Sequence, residues 1–387
     1  MKYIPLSVPN LKGKEKEYVL DAIEKEWVST GGSYIDTLEN NIAQYLGVKN
    51  AVACQSGTAG LHLSLLLSGV EKEDEVLVPT LTFIAAVNPV KYIGAHPVLM
   101  DCDETLTIDV HKLKRFIEEQ CEYKNRQLIN KSTLRKIKAV VVVHVFGNNA
   151  NMEAIMEIAE QYNLKVIEDA TEALGSYYVT GKYEGRYLGT IGDFGVYSFN
   201  GNKIITTGGG GMLVAKDEEA LSHAKYLSTQ AKDDSLYYIH DEIGYNYRMT
   251  NLQAAVGVAQ LEQLEQFISV KQRNHELYKE LLMNCEQLEL MPFSTQIRPN
   301  YWFYSILVKS EKIDIRIIIE RLHHKGIQTR PIWRLIHKQK PYQEEQSYDI
   351  CKASYYEAHV INVPCSSNLS EDEVCYIIES LKDTINE

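Results

Sequence analysis

Apolar positions along the chain change period several times, and each change marks an expected switch between helix and strand. Over residues 12–27, Tyr18, Val19, Ala22, Ile23 and Trp27 recur at helical spacing and predict one amphipathic helix. The run Val28-Ser29-Thr30-Gly31-Gly32 breaks it, and a second helix is expected over about 35–45, stopped by Gly47. Short apolar runs then alternate with helical stretches. Residues 51–54, 75–78, 97–100, 139–143 and 165–168 read as buried strands. Helices are expected through Leu67, from about Phe83, over 109–119 and over 151–162. Such alternation predicts an α/β fold with a mostly parallel sheet covered on both faces.

After Asp169 the rhythm differs. Residues 192–199 and 211–214 read as two strands flanking a glycine-rich hairpin, and 251–282 as one long helix. The remainder alternates strand and helix over 301–308, 313–324, 360–363 and 371–385. At 387 residues the chain exceeds what one hydrophobic core usually spans. The boundary is therefore placed near Thr250, giving a large domain over 1–250 and a smaller one over 251–387. Residues 122–138, rich in Lys and Arg, read as a solvated excursion.

Charge and composition narrow the function. The formal net charge is -12, and that field repels a polyanion, so nucleic acid is not an expected partner. The seven cysteines are scattered without a Cys-x-x-Cys pair, and the eleven histidines show no metal-ligand spacing. A disulfide framework and a metal site are thus not expected, and a reducing cytoplasm is. The start Met1-Lys2-Tyr3-Ile4-Pro5 lacks an apolar leader core, and no run of apolar residues is long enough for a membrane span.

Three stretches carry candidate chemistry. In Ser198-Phe199-Asn200-Gly201-Asn202-Lys203, a lysine follows a strand through a polar turn, with Thr206, Thr207 and four glycines behind it. Alone, such a lysine is more often a surface residue. Asp169 stands at the carboxyl end of a buried strand, where ligands of open parallel sheets bind, although an isolated Asp there more often caps the next helix. Glu168, one position earlier, should point to the other face. In Gln55-Ser56-Gly57-Thr58 a strand passes into a helix, whose first N–H groups can cradle a phosphate or be held by a plain N-cap. Their order on one sheet fits a site for pyridoxal 5'-phosphate. That cofactor needs a lysine amine for its aldehyde and a carboxylate for its pyridine nitrogen.

These words, with Trp27 to Gly32, Val78-Pro79-Thr80-Leu81-Thr82-Phe83 and Gly244 to Ala255, resemble the DegT/DnrJ/StrS sugar aminotransferases over nearly the whole chain. The resemblance implies the type I fold of pyridoxal-phosphate enzymes, with Lys203 as the Schiff-base lysine and Asp169 as the pyridine-nitrogen partner. It further implies Gly57, Thr58 and Ser198 at the phosphate, Phe83 stacked on the ring and Glu172 near the ring hydroxyl. Asn246 would reach the neighbouring subunit's cofactor across a homodimer, and Thr30, His240 and Arg330 would lie near the sugar nucleotide. L-glutamate would be the donor, leaving 2-oxoglutarate and the pyridoxamine form of the cofactor.

Within the family, Gly201 to Gly211 and Thr229 to Asp234 look most like the LegC-like and PglE-like branch. That branch aminates C4 of UDP-linked 4-keto-6-deoxy-N-acetylhexosamine on the way to bacillosamine and legionaminic acid glycans. Another nucleotide keto-sugar, of the perosamine type or aminated at C3, is the alternative. Two positions depart from the wider family: Glu172 stands where Gln or His is usual, and Gly209 replaces a common Glu. A sugar dehydratase typically has His in place of Lys203. A non-catalytic sensor of pyridoxal phosphate or a nucleotide-sugar is the other alternative, and the intact Lys203, Asp169 and Ser198 argue against such decay of the site.

Overall fold

The computed structural model describes residues 3–234, 236–310 and 314–386. Sixteen strands follow in chain order among them. They are β1 Val52–Cys54, β2 Glu75–Pro79, β3 His96–Met100, β4 Cys121–Lys124, β5 Gln127–Asn130, β6 Lys136–Val143, β7 Lys165–Asp169 and β8 Tyr177–Tyr178. After these come β9 Phe194–Ser198, β10 Gly211–Ala215, β11 Leu288–Leu290, β12 Ile297–Arg298, β13 Tyr304–Val308, β14 Arg330–Pro331, β15 Ser347–Tyr348 and β16 Val360–Val363. The main sheet runs β1-β10-β9-β7-β6-β2-β3-β15. Along that path the pairings are parallel except those on either side of β10. Ala139 to Val143 is buried throughout because helices cover both faces of a central parallel strand. Gly195 in β9 is required by packing: a β-carbon there would lie 1.7 Å from the Gly189 carbonyl oxygen.

The alternation expected from the sequence is present, with instructive differences. The first helix is shorter, Glu15–Glu24, and Ile23 and Trp27 are exposed. The second, Ser33–Leu46, stops at Gly47, whose φ of 65° suits a residue without a β-carbon. In place of a helix from Phe83 there is a single 3-10 turn and the short helix Asn88–Tyr92. The lysine- and arginine-rich segment is a β-hairpin, β4 and β5, that joins the main sheet through β6. Its turn residues Asn125 and Arg126 both have positive φ, the geometry that matches hairpin twist.

The long helix is two, Asn251–Leu261 and Leu264–Leu282. The first begins in a capping box between Thr250 and Gln253. A second sheet, β11-β13-β16-β14, forms wholly beyond residue 250, yet β15 returns to the edge of the main sheet. Asp101 anchors that return: it accepts from Lys112 Nζ at 2.6 Å and from the backbone N–H groups of Cys351, Lys352 and Ala353. The helix expected from Ile313 runs Ile315–His324; Ile313, like Met1 and Lys2, lies outside the described residues. Among the described residues no helix is long and apolar enough to cross a membrane.

Candidate active site

The carboxyl ends of β7 and β9 open onto a cavity of about 350 Å³, within the range of small-molecule sites. Gly57, Thr58, Phe83, Asp169, Glu172, Ser198 and Lys203 all line it. The strand pleat sorts the two acids of β7. Asp169 faces the cavity, and its Oδ1 accepts from the Thr171 N–H at 3.1 Å. Glu168 points away and is fully buried, accepting from the N–H groups of Gly189 at 2.9 Å and Ile191 at 2.6 Å. His144 completes its shell at 2.8 Å. Ala150 N–H donates to His144 Nδ1, so the ring proton sits on Nε2 and is given to Glu168. Burial raises the Glu168 carboxyl, but His144 and the backbone donors outweigh it and hold it below its ordinary value.

The lysine turn is fixed from both sides. Lys203 N–H donates to Asn200 O at 3.0 Å, and Thr206 and Thr207 both donate to Phe199 O. Ile204 and Ile205 are buried just after the lysine, so its side chain is directed into the cavity. Its Nζ lies 3.7 Å from Glu172 Oε1 and 4.1 Å from the centre of the Trp302 ring. Burial lowers the Lys203 ammonium below its usual range, against the pull of Glu172 and Asp169. Burial pushes Asp169 up, with Thr171 and Lys203 opposing. Glu172 is pushed up to about 7, chiefly by burial, although Lys203 and the Phe146 N–H, 2.8 Å from Oε2, resist.

At the far side of the cavity the helix Gly57–Leu67 begins. Ser56 Oγ accepts from Ala59 N–H at 3.1 Å and Ser56 O from Gly60 N–H, and among the described residues the Gly57 and Thr58 N–H groups have no acceptor, so they are available to an anion. A β-carbon on Gly57 would fall 2.9 Å from Thr171 Cγ2 and 3.1 Å from Ser198 Cβ, so the cradle is shaped by the absence of a side chain. Phe83, 55% exposed, stands at the rim as a large aromatic face open to a planar ligand. Sequence reasoning did not find Trp302 and Trp333, which also line the cavity. The aromatic run Tyr301-Trp302-Phe303 ahead of β13 was the available signal.

Thr30, His240, Asn246 and Arg330 do not line this cavity in the single chain. His240 is exposed and its Nδ1 lies 2.8 Å from Gln230 O; Asn246 is exposed on a loop bridged to Thr229. Arg330 pairs with Asn362 in the second sheet, facing solvent, and Thr30 sits in the linker before the second helix.

A lysine, a strand-end carboxylate and an anion cradle on one cavity are the three fittings pyridoxal phosphate needs: an amine for its aldehyde, an acceptor for its ring nitrogen and donors for its phosphate. The fit is direct, since Asp169 and Lys203 line the same cavity as the helix start at Gly57, which carries no side chain to block it. Fold and site thus define a type I pyridoxal-phosphate enzyme. Residues 9–382 match the model of the DegT/DnrJ/EryC1/StrS aminotransferase family, and the chain belongs to that family. It is a pyridoxal-phosphate-dependent sugar aminotransferase.

Among curated relatives, the GDP-perosamine synthase of Escherichia coli is 40% identical over 99% of both chains. That of Caulobacter vibrioides is 35% identical, covering 99% of this chain and 98% of its own. Among solved structures, the aminotransferase TlmJ of Streptoalloteichus hindustanus superposes with a TM-score of 0.89 at 25% identity, covering 99% of both chains.

Proposed function

We propose that the chain transfers the amino group of L-glutamate to C4 of a GDP-linked 4-keto-6-deoxyhexose, as a perosamine-type synthase. The observation that carries the sugar assignment is end-to-end similarity to two GDP-perosamine synthases. The UDP-linked, bacillosamine-type substrate read from the glycine-rich stretch gives way to it. When bound, the cofactor supplies an electron sink for the carbon that loses or gains a proton. Lys203 would be the anchor and then the group that moves that proton, its ammonium lowered by burial so that it gives up a proton more readily than a surface lysine. Asp169 would accept from the ring nitrogen, and the Gly57 and Thr58 N–H groups with Ser198 would hold the phosphate. Phe83 would offer an aromatic face to the ring.

The enzyme acts as a homodimer with shared sites. Leu236, Tyr237, Tyr238, Ile239 and Ile243 are all exposed near Asn246 and His240, an apolar surface that suits a second subunit. Arg330 and Thr30 then serve the sugar nucleotide. We keep the division near Thr250, a large cofactor domain over 1–250 and a smaller one over 251–387. All seven cysteines are free thiols, which suits a cytoplasmic site of action.

The test is a substrate panel of GDP-linked and UDP-linked 4-keto-6-deoxy sugars with glutamate. Preferential amination of the GDP sugar supports the assignment. Preferential amination of the UDP-linked N-acetyl sugar restores the bacillosamine-type reading and overturns this one.

A further inference from the structure

Trp302 reaches the lysine from a distant part of the chain, and it makes two contacts that act on the same turn. Its Nε1–H donates to Asn202 O at 2.7 Å, and its ring faces Lys203 Nζ at 4.1 Å. The indole is itself held firmly. Asn300 Oδ1 accepts from Trp302 N–H at 3.0 Å, while Asn300 Nδ2 donates to Glu172 O at 2.8 Å and Leu174 O at 2.9 Å. One amide therefore ties the tryptophan to the segment carrying Glu172. Tyr301, between them, has φ of 54°, and Phe146, whose N–H meets Glu172, has φ of 56°. A left-handed backbone at two bulky aromatic residues is costly and persists where surroundings over-determine it, typically at functional sites.

We propose that Trp302 is a positioning residue for Lys203: its π-face stations the free lysine as an ammonium beside Glu172, and its N–H fixes the turn that aims the lysine. This rests on the reading of Lys203 as the cofactor lysine. A ring face attracts a cation through its quadrupole, most strongly where water is excluded. Lys203 needs such a station when the cofactor is in its amine form, because its side chain is then no longer bonded to the cofactor and must stay within reach of the carbon whose proton it moves. Glu172 supplies a carboxylate on one side, and the uncharged indole supplies a negative ring face without adding a second titrating group. Burial acts in the opposite direction, so the balance sets how readily the proton leaves.

The experiment uses holoenzyme converted to its pyridoxamine form with L-glutamate. Lys203 labelling by an acylating reagent is followed across pH by peptide mass spectrometry, which reads the lysine's apparent pKa. Trp302→Leu should lower it by about one unit, the scale of a desolvated cation–π contact. Trp302→Phe, which keeps a ring but loses the N–H, should restore most of that shift. Circular dichroism and the labelling of exposed Lys165 check that each variant is folded. An unchanged Lys203 titration in folded Trp302→Leu, or equal shifts in the Leu and Phe variants, overturns the proposal. Borohydride reduction of the cofactor-loaded enzyme, followed by peptide mapping, reports separately whether Lys203 is the cofactor lysine.

Discussion

His275 is buried in an aromatic box, its ring centre 5.1 Å from Tyr301, 5.3 Å from Phe293 and 5.6 Å from Tyr304. Neither ring nitrogen has a hydrogen-bond partner among the described residues. Burial, with the Lys279 charge added, pushes its pKa down from 6.5 to about 4. A histidine depressed in the fold stays neutral while the unfolded chain takes up a proton, so its contribution is intact above about pH 6.5 and is lost on acidification towards pH 4. Integrating the two titrations from pH 8 to pH 5 gives a loss of about 2 kcal/mol from this one side chain. His275→Phe keeps the box filled and removes the titration. The assay is urea denaturation of both proteins at pH 8 and pH 5, compared as a double difference so that every other group cancels. The wild type should lose about 2 kcal/mol more than the variant between the two pH values. Equal losses would refute the argument. Because His275 packs on Tyr301, next to Trp302, the same acidification should also loosen the active-site wall.

Three further predictions follow from individual contacts. Glu172, neutral below about pH 7, destabilises the fold as pH rises from 4.5 towards 7, because the unfolded chain has already released that proton; tryptophan fluorescence of the cofactor-free protein should show an inflection near pH 7 that Glu172→Gln abolishes. Gly57→Ala puts a methyl 2.9 Å from Thr171 Cγ2 and should weaken pyridoxal phosphate binding by about tenfold or more with little loss of fold, read by absorbance titration with the cofactor. Asp101→Ala takes the closer of two carboxylates from buried Lys112, leaving Asp349 at 3.4 Å, and frees three backbone N–H groups, and should cost roughly 3 kcal/mol in denaturant unfolding.

How far the sequence reveals this enzyme depends on how local each feature is. Lys203, Asp169 and Gly57 were legible because each lies within a short strand-to-turn or strand-to-helix passage whose residues set its geometry. The separation of Asp169 from Glu168 followed from the pleat alone. Trp302 and Trp333 were not read as site residues, since they come to the cavity from beyond the helix Leu264–Leu282 and an aromatic run such as Tyr301-Trp302-Phe303 reads equally well as core. The break at Glu262 and Gln263 was hidden because neither Gly nor Pro interrupts the apolar period there. The hairpin β4–β5 was hidden by its charges: only one face is covered, through residues such as Leu128 and Asn130, and the other is wet. Asn246, His240, Thr30 and Arg330 are not brought to the cavity by one folded chain.

The most direct test of the central claim is to incubate the enzyme with nitrogen-labelled L-glutamate and a GDP-linked 4-keto-6-deoxyhexose and to locate the label by NMR. Label at C4 of the sugar nucleotide, absent with Lys203→Ala, is the predicted result. An unlabelled sugar, or label that persists in Lys203→Ala, would contradict it.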